Sequence, residues 1–255
     1  MRTLIAIPVY NEERYVCSVI RRVVEHGHDV LVIDDGSTDS TAQRLERMPV
    51  RVIRHATNLG YGRSLRDAFD DAVARRYDWI ITMDCDEQHE PDAIPLFVEA
   101  AREDTLDVVS GSRYLVPTPE DDTPPRDRRA INAEITREIN RRLGGVFREA
   151  GGEEITDSFC GFKAVRVESL RRLRLTENGY AFPMQFWVQA AAARLRVREL
   201  AVRLIYNDPT RTFGGQLDDS AVRLAHYRQV LHRELGRCAD RLPPATLCGV
   251  KAGCA

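Results

Sequence analysis

Short apolar runs alternate with amphipathic segments over the first 110 residues of this 255-residue chain. Leu4–Val9 reads as a buried strand, and Glu13–His26 carries Val16, Val19, Ile20, Val23 and Val24 at helical spacing. Val30–Asp34 predicts a second strand. Asp39-Ser40-Thr41 then opens a helix with Asp or Ser as its cap. Val52-Ile53 is a third, short strand, and Tyr61–Arg76 a helix with Leu65, Ala68, Phe69, Ala72 and Val73 on one face. Trp79–Asp84 and Leu106–Ser110 are the fourth and fifth strands. This alternation predicts an α/β fold whose mostly parallel central sheet is flanked by helices on both faces. Four prolines within Pro117–Pro125 interrupt the pattern and predict a long exposed loop. Beyond it the periodicity predicts a helix near Ala130–Leu143, a strand near Phe162–Val165, and an apolar helix from Phe182 to Ala193. A strand at Val197–Ile205 and a C-terminal helix at Asp218–Arg237 complete the pattern.

In parallel α/β sheets, ligands bind outside the carboxyl ends of the strands. The polar clusters here follow the strands. Asn11-Glu12 follows the first, Asp34-Asp35-Gly36-Ser37 the second and Asn58-Leu59-Gly60 the third. Asp84-Cys85-Asp86 follows the fourth and Gly111-Ser112-Arg113 the fifth. Five clusters at five strand ends predict one composite site.

Composition narrows the partners. The 37 basic and 39 acidic side chains leave a net charge of −2, so no global basic field attracts nucleic acid. No run approaches the roughly 20 apolar residues of a membrane span, and the first residues do not read as a signal peptide. Six cysteines without CxxC spacing fit a reduced, cytoplasmic protein. Peripheral contact with a membrane stays open.

Asp84 and Asp86 flank one spacer in a turn after a buried strand. Two carboxylates so close repel unless a positive charge lies between them, and a hard divalent cation takes such oxygen ligands. Gln88 offers a further oxygen. The alternative is an acidic surface turn before a helix that Glu90-Pro91-Asp92 begins. Cys85 reads as a spacer, and His89 as a cap-region or surface residue in preference to a metal ligand. Asp34-Asp35 offers acceptors for a ribose or base edge, or caps the next helix. Arg113 stands where a phosphate would lie. Arg126, Arg128 and Arg129 either close over a diphosphate or form a solvated run. Asp157 is a candidate general base for a hydroxyl acceptor, a role that an already ionised phosphate acceptor would not need; the alternative is that it binds the acceptor or a turn backbone.

These segments resemble the inverting family 2 glycosyltransferases of the GT-A fold, most closely the polyprenyl-phosphate (dolichyl-phosphate) mannosyl- and glucosyltransferase branch. The likeness rests on Ile7–Glu13, Val32–Asp39, Asn58–Gly62, Met83–His89 and Gly111–Tyr114. It continues through Asp157 with Cys160–Lys163, then Gly179–Phe182 and Arg211–Gly215. It implies a glycosyltransferase domain over residues 1–216, with a nucleotide-sugar-binding half (1–115) and an acceptor half (116–216). A C-terminal helix and a disordered tail would fill 217–255. The resemblance implies that Pro8, Tyr10, Glu12, Ile33 and Asp35 cradle the nucleoside of a GDP- or UDP-sugar. Asp84, Asp86 and Gln88 would hold Mg²⁺ or Mn²⁺. Arg113, Arg129 and Arg211 would face the donor diphosphate or an acceptor phosphate. The implied acceptor is polyprenyl phosphate, with a small-molecule hydroxyl as the alternative. The sequence departs from the branch at Gln185, where the family carries Glu, and at Leu217, near a family lysine.

Overall fold

The computed structural model describes residues 1–103, 105–116, 122–206 and 212–250. Seven strands in these residues form one sheet. They are β1 (Thr3–Val9), β2 (Asp29–Asp34), β3 (Arg51–Arg54), β4 (Trp79–Thr82), β5 (Val108–Ser112), β6 (Lys163–Arg166) and β7 (Val197–Ala201). Their spatial order is β3-β2-β1-β4-β6-β5-β7. Most neighbours pair in parallel, as the alternation predicts, but β6 runs antiparallel to both β4 and β5. Apolar periodicity fixes which residues of a strand are buried, not which way the strand runs, so this reversal is invisible in the pattern.

The helices are α1 (Val16–Val24), α2 (Thr41–Leu45), α3 (Tyr61–Ala74), α4 (Ile94–Arg102), α5 (Arg126–Ile139), α6 (Gly145–Glu149), α7 (Val167–Leu170), α8 (Phe182–Ala192) and α9 (Ser220–Arg237). Strand side chains alternate between faces, and they divide into two apolar cores accordingly. Ile5, Ile7 and Val9 of β1 pack with α1 and α4. Leu4 and Ala6 pack on the other face, where α3, α5, α8 and α9 lie. Trp187 of α8, fully buried, donates its indole N–H to the Ser158 carbonyl at 2.9 Å. An amphipathic ring inside a core needs such a partner.

Two boundaries move for local reasons. Helix α5 begins at Arg126, four residues before the expected start, because Pro125 sits extended at its N-cap and Asp127 falls in its first turn. It then continues through a π-helical turn at Asn140–Gly144 into α6. The C-terminal stretch is not a loose appendage as far as it is described. Tyr227, Val230, Leu231 and Leu235 of α9 are core residues. Arg142 then donates to the carbonyls of Thr246 and Cys248, both at 2.9 Å.

Candidate active site

A cavity of about 550 Å³ opens along one edge of the sheet. It lies at the carboxyl ends of β1, β2, β4 and β5. Because β6 is antiparallel, the chain entering it, Asp157–Phe162, arrives at this same edge. Thus the reversed strand carries a later segment of the sequence into a site that the parallel strands begin.

The turn after β4 is built from beneath. Cys85 is buried in the core, which leaves the flanking carboxylates of Asp84 and Asp86 on the cavity wall. His89 is also buried, so its expectation as a surface residue is corrected. Its Nδ1 accepts the Asp84 backbone N–H at 3.0 Å, and its ring packs 5.3 Å from that of Phe162. Burial lowers its pKa to about 4, so the imidazole is neutral and able to accept this bond at pH 7. Tyr61 donates its hydroxyl to Asp84 Oδ1 at 3.1 Å, and burial pushes that phenol up, keeping it a donor. Asp86 Oδ1 accepts the Gln88 N–H at 3.1 Å, with Glu87 between them in the left-handed region. Gly161 closes the back: a Cβ there would lie 2.5 Å from Asp84 Oδ2 and 2.8 Å from the Tyr61 hydroxyl.

These residues fit a divalent cation of a particular kind. Among the described residues no three His, Cys, Asp or Glu side chains form a metal cage. The protein offers two carboxylates and the Gln88 amide facing an open cavity. That donor set suits a hard cation completing its shell with phosphate oxygens.

On the nucleoside side, Pro8, Tyr10 and Glu12 line the cavity, and Tyr10 is 44% exposed. Ile33 does not. It is fully buried in the core with Leu4, Ala6 and Leu31, because strand alternation turns its side chain into the sheet's inner face. Asp35 lines the wall, but its carboxylate is already engaged. It accepts the N–H of Leu59 at 2.8 Å and of Gly60 at 2.9 Å, and faces His55 Nδ1 at 2.6 Å. Asp35 therefore shapes the Asn58–Gly60 turn, and neither caps the next helix nor offers a free carboxylate.

Arg113 and Asp157 form a largely enclosed ion pair at the site. Arg113 donates from Nε to Asp157 Oδ2 at 2.6 Å and from Nη2 to Oδ1 at 2.9 Å. Asn132 adds a 2.7 Å bond to Oδ1. Desolvation alone would raise the Asp157 pKa, but the charge and hydrogen bonds of Arg113, with the Asn132 bond, bring it down to about 2. Fully buried and saturated with donors, Asp157 is neither basic nor exposed to a substrate hydroxyl. The structure thus places Asp157 against Arg113, which does line the cavity, and not open to it as the general-base expectation requires.

Across the cavity Arg128 lines the wall and Arg129 does not. Helical spacing explains the exchange, since Arg128, Ile131 and Asn132 fall on one face of α5 and all three line the cavity. Arg129 instead packs 5.9 Å over the ring of Tyr114. Arg211 lies outside the described residues. Tyr180, Phe213 and Arg223 also reach the wall. Sequence reasoning gave them no role. Tyr180 and Phe213 belong to two motifs far apart in sequence, and only the fold brings them together.

A family model described as glycosyl transferase family 2 matches residues 4–174. The chain is 28% identical over 240 residues to the undecaprenyl-phosphate mannosyltransferase of Micrococcus luteus, a match that covers 89% of this chain and 94% of that one. It is 25% identical over 255 residues to the UDP-N-acetylglucosamine–dolichyl-phosphate N-acetylglucosaminyltransferase of Methanococcus voltae, covering 92% and 96%. Among solved structures, the glucosyl-3-phosphoglycerate synthase of Mycobacterium tuberculosis in complex with Mn²⁺, UDP and phosphoglyceric acid shares the fold. Its TM-score is 0.65 at 22% identity, with 95% of this chain and 79% of that one covered. With two thirds of its length matched and the sheet and strand-end site described above, the chain belongs to glycosyl transferase family 2 and is a glycosyltransferase of the GT-A fold.

Proposed function

We propose that this enzyme transfers a hexosyl group from a GDP- or UDP-sugar to the phosphate of a polyprenyl phosphate, with inversion at the anomeric carbon. One observation carries the choice of acceptor. Among the described residues, the carboxylates on the cavity wall are Glu12, Asp35, Asp84 and Asp86, all in the first half of the chain. The second half contributes Arg128, Arg223 (itself paired with Asp127) and several aromatic rings, and among its described wall residues there is neither a carboxylate nor a histidine. A hydroxyl acceptor must lose a proton to a base within reach. A phosphate acceptor is already anionic; it needs cations to hold it and an apolar wall for its isoprenoid chain.

The reaction then follows from charge. An acceptor phosphate oxygen attacks the anomeric carbon as the bond to the diphosphate oxygen breaks, and the bonding pair leaves with the nucleoside diphosphate. Asp84, Asp86 and Gln88 would hold Mg²⁺ or Mn²⁺, which would supply Lewis-acid stabilisation of that leaving group. Arg113 holds a fixed positive charge on the same wall. Its ion pair with Asp157 keeps the guanidinium from swinging, and a pre-oriented charge costs no reorganisation during reaction. Pro8, Tyr10 and Glu12 frame the nucleoside. The relatives that act on lipid phosphates support the acceptor class, and the neighbour crystallised with Mn²⁺ and UDP supports the donor chemistry. No helix among the described residues is long and apolar enough to cross a membrane.

The test is calorimetric titration of GDP and UDP with and without Mn²⁺, on the wild type and on Asp86→Ala. Metal-dependent binding of one nucleotide, lost in the variant while the fold persists, is expected. Equal binding in EDTA would overturn the metal assignment.

A further inference from the structure

A continuous row of rings joins the metal turn to the arginines of the acceptor half. Tyr61 bonds Asp84 through its hydroxyl. Tyr180 stacks on Tyr61, with centroids 6.0 Å apart and planes 16° from parallel. Phe213 meets Tyr180 edge-on at 5.4 Å. The guanidiniums of Arg128 and Arg223 lie 4.8 and 4.5 Å from the centroid of Phe213. Tyr180 stands in the middle of this row, 41% exposed, on the cavity wall.

The backbone that presents Tyr180 is fixed from both sides. From the donor half, Gly60 and Gly62 allow α3 to approach the Glu177–Asn178 backbone more closely than any side chain would permit. Arg63 N–H donates to the Asn178 carbonyl at 3.1 Å, and Arg66 to Asn178 Oδ1 at 2.6 Å. From the acceptor half, Gln185 Oε1 accepts the N–H of Thr176 at 2.6 Å and of Glu177 at 2.8 Å. Glu234 of α9, almost fully buried, accepts from Gln185 at 2.9 Å and Gln189 at 2.6 Å. A partly exposed aromatic ring on so constrained a segment is pre-organised for contact.

We propose that Tyr180 is the platform on which the transferred sugar packs, contacting the sugar and not the nucleotide. This rests on the glycosyl-transfer reading above. In a direct displacement the sugar ring lies between the leaving diphosphate, held near Asp84 and Asp86, and the incoming phosphate, drawn to the arginines. Tyr180 is one ring removed from each end. A pyranose offers an apolar C–H face that an aromatic ring covers, and aromatic walls with few polar groups are how small-ligand sites fix orientation.

The experiment compares the nucleoside diphosphate with its sugar-bearing form, both with Mn²⁺, on the wild type, Tyr180→Ala and Tyr180→Phe. Expected is a Kd for the nucleotide sugar raised about 5- to 10-fold in Tyr180→Ala, in keeping with one lost ring contact. The Kd for the bare diphosphate stays at the wild-type value, and Tyr180→Phe matches wild type for both. Equal weakening of both ligands in Tyr180→Ala would make Tyr180 a structural support and overturn the proposal. Unchanged sugar affinity would overturn it as well. A wild-type protein that bound neither ligand would overturn the donor reading on which it stands.

Discussion

Single side chains decide what this site can do, and Asp157 is the clearest case. Its position in a motif before Cys160-Gly161-Phe162 identified it as chemically important, yet the role needed Arg113, 44 residues earlier in sequence and 2.6 Å away in space. Removing the buried counter-charge with Asp157→Asn is expected to cost about 3–5 kcal/mol of stability, measurable by urea unfolding. The carboxyl pKa falls from the ordinary 3.8 to about 2 in the folded state. It therefore contributes about 2 kcal/mol that is present above about pH 4 and is lost as the pH falls towards 2. The same low value means that transfer should show no acidic limb owed to Asp157 between pH 5 and 9. A limb that disappears in Asp157→Asn would restore it as the base. Gly161 makes the complementary point. Gly161→Ala forces a methyl against Asp84 and Tyr61. A displaced carboxylate should lower kcat/KM by about 100-fold with little change in Tm. Asp84, Asp86 and Arg113 were legible because residue type and strand-end position agreed. Ile33 and Arg129 were misplaced because a motif transfers a position, while the face of a strand or helix settles where its side chain goes.

At the scale of elements, the strands and long helices were legible from period alone, and direction and meeting points were not. The reversal of β6 follows from no local property of Lys163–Arg166, yet it brings Asp157 to Arg113 and Gly161 to Asp84. Helices α8 and α9 looked like an apolar helix and a C-terminal extension. Their buried seam joins Glu234 to Gln185 and Gln189, and it steadies the segment before Tyr180. The departure at Gln185 has a physical reason here, since its amide donates to Glu234 and to Thr176 Oγ1 while accepting two backbone N–H groups. Gln185→Glu would lose both donors and set a second carboxylate against Glu234. The expected cost is about 2–4 kcal/mol at pH 7, partly recovered at pH 5 as the pair takes up a proton. Urea denaturation at the two pH values checks this, and an unchanged midpoint would show that the seam is slack.

At the scale of the whole molecule, the described residues form one sheet with two cores and a mixed edge where the candidate site lies. Five polar strand ends made the donor side readable, because each loop follows its own strand. The wall proposed for the acceptor is lined from α5, α8, α9 and Phe213, which are scattered in sequence and converge only in the fold. That wall carries arginines and aromatic rings with no carboxylate or histidine among its described lining residues, although Arg223 is itself paired with Asp127. The enzyme is therefore expected to need an acceptor that brings its own negative charge. The direct measurement is the rate of sugar transfer, with the donor identified and Mn²⁺ present, to a polyprenyl phosphate and to the matching polyprenol in the same detergent. Transfer to the phosphate alone is predicted; transfer to the alcohol at a comparable rate would contradict the account.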